Sequence, residues 1–319
     1  MTRVNEINQI FLWTIVSAVG GSVLYVLLGL PRDDFFLSLA FNQIILVIPT
    51  FAYVLKNKIN AKEFFRFNKI KIVNVFLLIL FSFFITPIMQ LINMLSLLFS
   101  ENVINEKLES IVEGKPLVLS LIIIAVIPAL LEESVYRGAF LTEYRKIDAR
   151  RGVLLCGLLF GLLHLNFNQF SYAFVMGMIF AILVEGTGSI VSSMIVHFCI
   201  NATSVMTLYI KPYLQEAAIK VYGEDMADKL MLNRTLTKKE ILTASFGYSF
   251  YAIATLMIAI ILYTVIVKNE GRWEYIKKVF GQKNQVKNVE GQSGQKLITI
   301  PLAMGMGICI LIMILTEVS

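Results

Sequence analysis

The chain has 319 residues, of which 57 % are hydrophobic and only 16 % charged. Soluble domains carry about 25 % charged residues, so this composition excludes a water-soluble globular fold. The net charge of +6 shows no aromatic–basic interleaving along a soluble face. Nucleic acid is therefore set aside as a partner, and the excess Lys and Arg are read as residues of membrane-flanking loops.

A bilayer crossing needs about 20 apolar residues in a helix, and backbone facing hydrocarbon must satisfy its own hydrogen bonds. The apolar runs are long and do not alternate, so the expected fold is all-α, a polytopic transmembrane helical bundle of about eight or nine spans. In chain order the candidates are 10–30, 35–55, 73–99, 117–144, 152–165, 170–185, 189–210, 241–267 and 297–316. The run from Ile10 has full spanning length and reads as a retained helix, not a removed signal. Segment 61–71, AKEFFRFNKIK, mixes aromatic and basic residues and is expected to lie as a helix on an anionic leaflet. The run at 152–165 is short and is expected to end within the bundle, surrounded by protein. Cys156, Cys199 and Cys309 fall in apolar runs without paired spacing and read as small core residues. Met304, Met306 and Met313 of the last span are expected in the core or against lipid. The C-terminus, TEVS, carries no lipidation box.

Lys and Arg set the orientation. Strict alternation over nine spans puts the basic loops 56–71, 145–151 and 268–296 on one side with the N-terminus, and that side is read as cytoplasmic. Segment 211–240 falls on the other side although it holds Lys211, Lys220, Lys229, Arg234, Lys238 and Lys239. Asn233-Arg-Thr within it is a glycosylation acceptor sequence, of consequence only in a eukaryotic secretory setting. Three regions are expected: N-terminal helices and an interfacial segment over 1–116, a core over 117–210, and a loop with C-terminal helices over 211–319.

The core holds the chemistry. Its apolar runs contain both histidines of the chain, His164 and His197, and the cluster Glu132, Glu133 and Arg137. Ionisable groups are costly in lipid and persist mainly where they pair or react. Counted at about 1.5 Å per residue, Glu132, His164 and Asn201 each lie roughly 18 Å along their helices from the basic side, and His197 roughly 12 Å. Glu133 and Arg137 are one helical turn apart and can pair. Glu132 points about 100° away from Glu133, on the face of Tyr136, so one carboxylate can be held while the other faces a cavity. His197 and Asn201 are four residues apart and can present two polar groups to one point. Pro128 removes a helical hydrogen bond and frees the carbonyl of Ile124, with a local kink expected. The Gly157/Gly161 step is expected to let the helix of His164 approach the carboxylate helix. A carboxylate beside an imidazole can take a proton from water. A histidine and an asparagine can stabilise an oxyanion. Together these are the requirements of amide hydrolysis.

The same residues, as EExxxR (Glu132, Glu133, Arg137), FxxxH (Phe160, His164) and HxxxN (His197, Asn201), resemble the three signatures of the CAAX-protease and bacteriocin-processing family, the Abi family of intramembrane endopeptidases. The resemblance covers roughly residues 117–205. It implies that Glu132 and His164 activate water, that His197 and Asn201 form the oxyanion site, that Glu133 and Arg137 are a structural pair, and that Phe160 packs. It implies a membrane-associated peptide or protein substrate and a multi-pass protein of the cell membrane whose active site opens toward the cytoplasm. Prenylated tails, bacteriocin leaders and signalling peptides all stay open as substrates.

No cofactor is expected. The alternative is zinc on Glu132, His164 and His197, since two His and one Glu can hold a catalytic zinc with an open position. Two other classes use the same residues: a proton-coupled carrier with Glu and His as a relay, and a non-catalytic scaffold or immunity factor. Outside the motifs, Glu185 reads as a solvated cap, and Gln90 and Asn93 as helix contacts or cavity lining.

Overall fold

Apolar runs this long close their backbone hydrogen bonds locally, and helices result. The computed structural model describes residues 3–31, 34–100, 112–224, 237–281 and 296–318; within them the backbone is helical and contains no strand. The helices are α1 (Arg3–Leu27), α2 (Phe35–Lys56), the single turn α3 (Ala61–Phe64), α4 (Ile72–Ser96), α5 (Leu117–Tyr144), α6 (Ala149–Leu162), α7 (Phe167–Thr187), α8 (Val191–Tyr222), α9 (Lys238–Asn269), α10 (Trp273–Ile276, continued by a wider turn Lys277–Gly281) and α11 (Ile300–Val318). Eight of them are long and apolar enough to cross a membrane. The protein is therefore a multi-pass all-α bundle. The ninth expected span, 152–165, is α6, with 14 residues. It reaches only about 21 Å, and it packs against α7 and the end of α5.

Polar residues set the helix boundaries. Asp148 accepts from the backbone N–H groups of Arg150 and Arg151 and starts α6. Asn166 accepts from Gln169 N–H and starts α7. Thr237 and Glu240 cap α9 reciprocally. Gly188, in the left-handed region at φ 78°, ends α7.

Hydrogen bonds between chain-distant residues define the two ends of the bundle. At one end Asn8 meets Leu297, Thr299 and Tyr144, Tyr53 meets Glu6, and Asn74 meets Glu270. This gathers the start of α1, the end of α2, the start of α4, the end of α5, the end of α9 and the start of α11, the arrangement that alternation requires. At the other end Tyr209 of α8 meets Ser120 and the carbonyl of Lys115. Residues 211–224 and 237–240 belong to that second end. Asn233, Lys229, Arg234, Lys283 and Lys287 lie outside the described residues.

Four expectations are corrected. Segment 61–71 does not rest on lipid with its aromatic residues: Phe64 and Phe65 are 8 % and 2 % exposed, and a Cβ on Gly138 of α5 would sit 2.6 Å from the Phe65 ring. The missing side chain of Gly138 is what admits that ring. Span 189–210 does not stop at Ile210, because α8 runs 32 residues to Tyr222, about 48 Å and longer than the hydrocarbon core. Its last turns expose Tyr213, Leu214 and Val221. Gly157 and Gly161 pack on α7, not α5: added Cβ atoms would meet Phe174 and Met178 from Gly157, and Phe170 and Phe174 from Gly161. Glu185, expected in solvent, is fully buried.

The burial of Glu185 has a clear cause. Its carboxylate, at the end of α7, takes Arg66 at 2.9 Å and Arg145 at 2.7 Å, and Tyr275 donates to it. Arg272 donates to its backbone carbonyl at 3.0 Å. Buried charge persists where it is paired and fully hydrogen-bonded, and here residues from three separate segments supply the partners. Burial and the Glu185 charge together push the Tyr275 hydroxyl above its ordinary range, so it remains a donor.

Among the cysteines, Cys156 and Cys309 are buried, Cys199 is partly buried, and all three are free. Cys156 donates from Sγ to the Tyr136 carbonyl at 2.8 Å and fastens α6 to α5. In the last span Met313 is buried and Met304 half-exposed. Gln90 accepts from Tyr248 and joins α4 to α9, while Asn93 Oδ1 is buried without a hydrogen-bond partner.

Candidate active site

The site is built on an irregular helix. In α5 the regular turns Ile127–Glu133 lie between two wider π turns, Ile122–Val126 and Ser134–Phe140. Wide turns of this kind interrupt the hydrogen-bond ladder and recur at functional sites. Pro128 begins the regular segment and cannot donate to the ladder. Asn201 of α8 answers that break: its Nδ2 donates to the Ile124 carbonyl at 3.0 Å.

The adjacent carboxylates have opposite surroundings. Glu133 is fully buried. Its Oε1 accepts from Arg137 at 2.8 Å and from His197 Nδ1 at 3.0 Å. Arg137, also fully buried, donates onward to the Gly177 carbonyl of α7 at 3.1 Å. Glu132 is partly exposed and has no arginine. It accepts from Gln43 Nε2 of α2 at 3.1 Å. The division between a held and an open carboxylate is the one expected from the helical turn.

His164 departs from expectation in one respect. It sits in the turn just after α6, not within a helix. Its Nδ1 lies 2.8 Å from the Phe160 carbonyl. A carbonyl only accepts, so Nδ1 carries the hydrogen, and in the neutral ring Nε2 is left as an acceptor. The ring thereby satisfies one of the last carbonyls of α6. The next residue, Leu165, is held in the left-handed region at φ 52°, a strained conformation for a branched side chain.

Phe160 lies at the centre. The Arg137 guanidinium sits 4.3 Å from its ring centroid, a cation–π contact. The rings of Tyr136 and His164 are each 5.1 Å away and His197 6.1 Å, all edge-on. The structure thus gathers Tyr136, Arg137, His164 and His197 around Phe160, with Glu133 on Arg137 and His197, while Glu132 is tied to Gln43 and Asn201 to the Ile124 carbonyl.

A comparison with protein families matches residues 114–203 to the Rce1-like model, described as type II CAAX prenyl endopeptidase Rce1-like. Residues 114–203 of this chain are thus similar to that family. Comparisons with curated proteins and with solved structures each returned no match. The matched stretch runs from the start of α5 into α8 and holds all three motifs. It supports an intramembrane protease of the CAAX type acting on a membrane-associated substrate.

Around the Rce1-like core the structure adds residues that sequence reading missed. Phe180 of α7 stacks on His197, with centroids 5.1 Å apart at 29°, and lies 5.1 Å from the Arg137 guanidinium. A phenylalanine in an apolar run carries no signal of this. Gln43 lies far outside the matched stretch, and only a polar residue midway along an apolar span marked it. The zinc alternative finds no support in the donor set. Among the described residues no three His, Cys, Asp or Glu side chains converge to hold a metal, and His197 Nδ1 is turned to Glu133.

Proposed function

We propose that the protein is an intramembrane endopeptidase that hydrolyses a peptide bond of a membrane-associated protein or peptide with water activated by Glu132 and His164. One observation carries the reading. Of two neighbouring carboxylates, Glu133 is paired with Arg137 and hydrogen-bonded to His197, while Glu132 has no cationic partner among the described residues and accepts from the neutral amide of Gln43.

In this reading Glu132 takes a proton from water as the hydroxide adds to the scissile carbonyl. His164, with Nε2 open, shares or relays that proton toward the leaving amine. The carbonyl oxygen becomes negative and needs donors. His197 can donate from Nε2 only when its ring also keeps the Nδ1 hydrogen bonded to Glu133, that is, as imidazolium. The Glu133 carboxylate makes that charge tolerable in a buried site. Asn201 uses one amide hydrogen on Ile124 and has a second to offer. Glu133, Arg137 and Phe160 hold the frame. The end bearing Lys56, Lys58, Arg145, Lys146 and Lys277 is assigned to the cytoplasm by its basic excess, in the cell membrane, and the catalytic core is assigned to 117–210.

The test is cleavage of membrane-anchored peptides, prenylated and unprenylated, by the purified protein in liposomes. Glu132→Gln is expected to abolish cleavage in a folded, inserted protein, and a chelator is expected to leave the wild type active. Undiminished cleavage by Glu132→Gln would overturn the reading. Loss on chelation, restored by zinc, would replace it with a metal-dependent one.

A further inference from the structure

We infer that Gln43 of α2 is a positioning residue for Glu132. The inference rests on the reading of Glu132 as the base and deepens it. Gln43 Nε2 donates to Glu132 Oε1 at 3.1 Å across 89 residues of sequence. This is the one hydrogen bond to Glu132 among the described residues, so the orientation of the base depends on a helix outside the matched core. Gln43 is itself partly buried, and its Oε1 is buried without a hydrogen-bond partner. An orphaned buried acceptor is destabilising, and a leucine at this position in an apolar span would avoid that cost. The amide is retained for what its two ends do.

The chemistry follows from the hydrogen-bonding capacity of an amide. Its N–H bonds more strongly to an ionised carboxylate than to a protonated one, so it favours Glu132 in the form that accepts a proton. By engaging Oε1 it directs Oε2 to the water. The orphaned Gln43 Oε1 stands beside the base as an acceptor for the second hydrogen of that water. An arginine here would neutralise the base, as Arg137 does for Glu133. A neutral donor orients the base and leaves its charge.

The test uses the full-length protein in liposomes and the peptide that the wild type cleaves fastest among prenylated and unprenylated membrane-anchored peptides. Gln43→Met keeps the side-chain length and removes both polar ends. It is expected to lower kcat about tenfold, the worth of one hydrogen bond to a charged group, with KM within about twofold and an unchanged unfolding midpoint. Gln43→Glu places a second carboxylate beside the first. It is expected to be slower still at neutral pH and to recover as pH falls, because a proton shared by the two restores a hydrogen bond. Wild-type kcat in Gln43→Met overturns the inference. So does a parallel loss of stability and KM, which marks mere packing, or a Gln43→Glu protein with no recovery in acid. Glu132→Gln in the same assay separates the two claims: if it is inactive while Gln43→Met is not, only the role of Gln43 fails. Absence of cleavage by the wild type overturns both.

Discussion

Two buried carboxylate clusters lie in this bundle, and they are finished to different degrees. At the basic end, Glu185 is saturated by Arg66, Arg145 and Tyr275, with Arg272 on its backbone carbonyl. In the interior, the cluster of Glu132 and Glu133 is left incomplete. Among the described residues Tyr136 Oη, Arg137 Nε and Gln43 Oε1 are buried without hydrogen-bond partners, and Glu132 has no counter-ion. Saturation is what a joint requires, since every lone pair taken is a segment fastened. Incompleteness costs stability and is retained where incoming atoms will use the open positions. The difference marks the first cluster as architecture and, on the proposed reading, leaves the second for chemistry.

Substitutions can break or sharpen this contrast. The largest expected effect is that of Glu132→Gln, a fall in kcat of about 10³-fold or more as the base is removed, with an unfolding midpoint in detergent within experimental scatter of the wild type. Next is Asn201→Ala. Removing an oxyanion donor is expected to cost about 10²-fold in kcat, with some loss of stability as the Ile124 carbonyl is orphaned; unchanged kcat would take Asn201 out of the site. Glu185→Gln reverses the pattern. It leaves two arginines without their carboxylate, for which about 3–5 kcal/mol of stability is expected to be lost, while kcat per folded molecule stays within about twofold. A large selective loss of kcat there would erase the distinction between the clusters. The smallest effect is expected from Tyr136→Phe. It removes an orphaned hydroxyl, so the unfolding midpoint should hold or rise while kcat falls about threefold to tenfold, the worth of one neutral hydrogen bond. A lower midpoint with unchanged kcat would place Tyr136 among the packing residues.

Much of the site was legible in the residues themselves. Helical periodicity alone separates Glu132 from Glu133 and joins Glu133 to Arg137. Pro128 announces a freed carbonyl at Ile124, and the structure shows Asn201 donating to it. The alternation of spans and basic loops also anticipates which segment ends meet. These are local or one-dimensional quantities, set by about 3.6 residues per turn and by the thickness of a bilayer.

Partner choice across the bundle was not legible, because it depends on which faces meet. A glycine step permits close approach without naming the neighbour, and Gly157 and Gly161 met α7. Glu185 beside a loop reads as solvated until three distant arginines fold over it. Phe64 and Phe65 suit a leaflet until Gly138 opens a recess in α5. Phe180 and Gln43 are anonymous in apolar runs and acquire meaning only from His197 and Glu132 across the helix interface. Periodicity carries a residue to a face of its own helix; packing, which acts between helices distant in the chain, decides what that face touches.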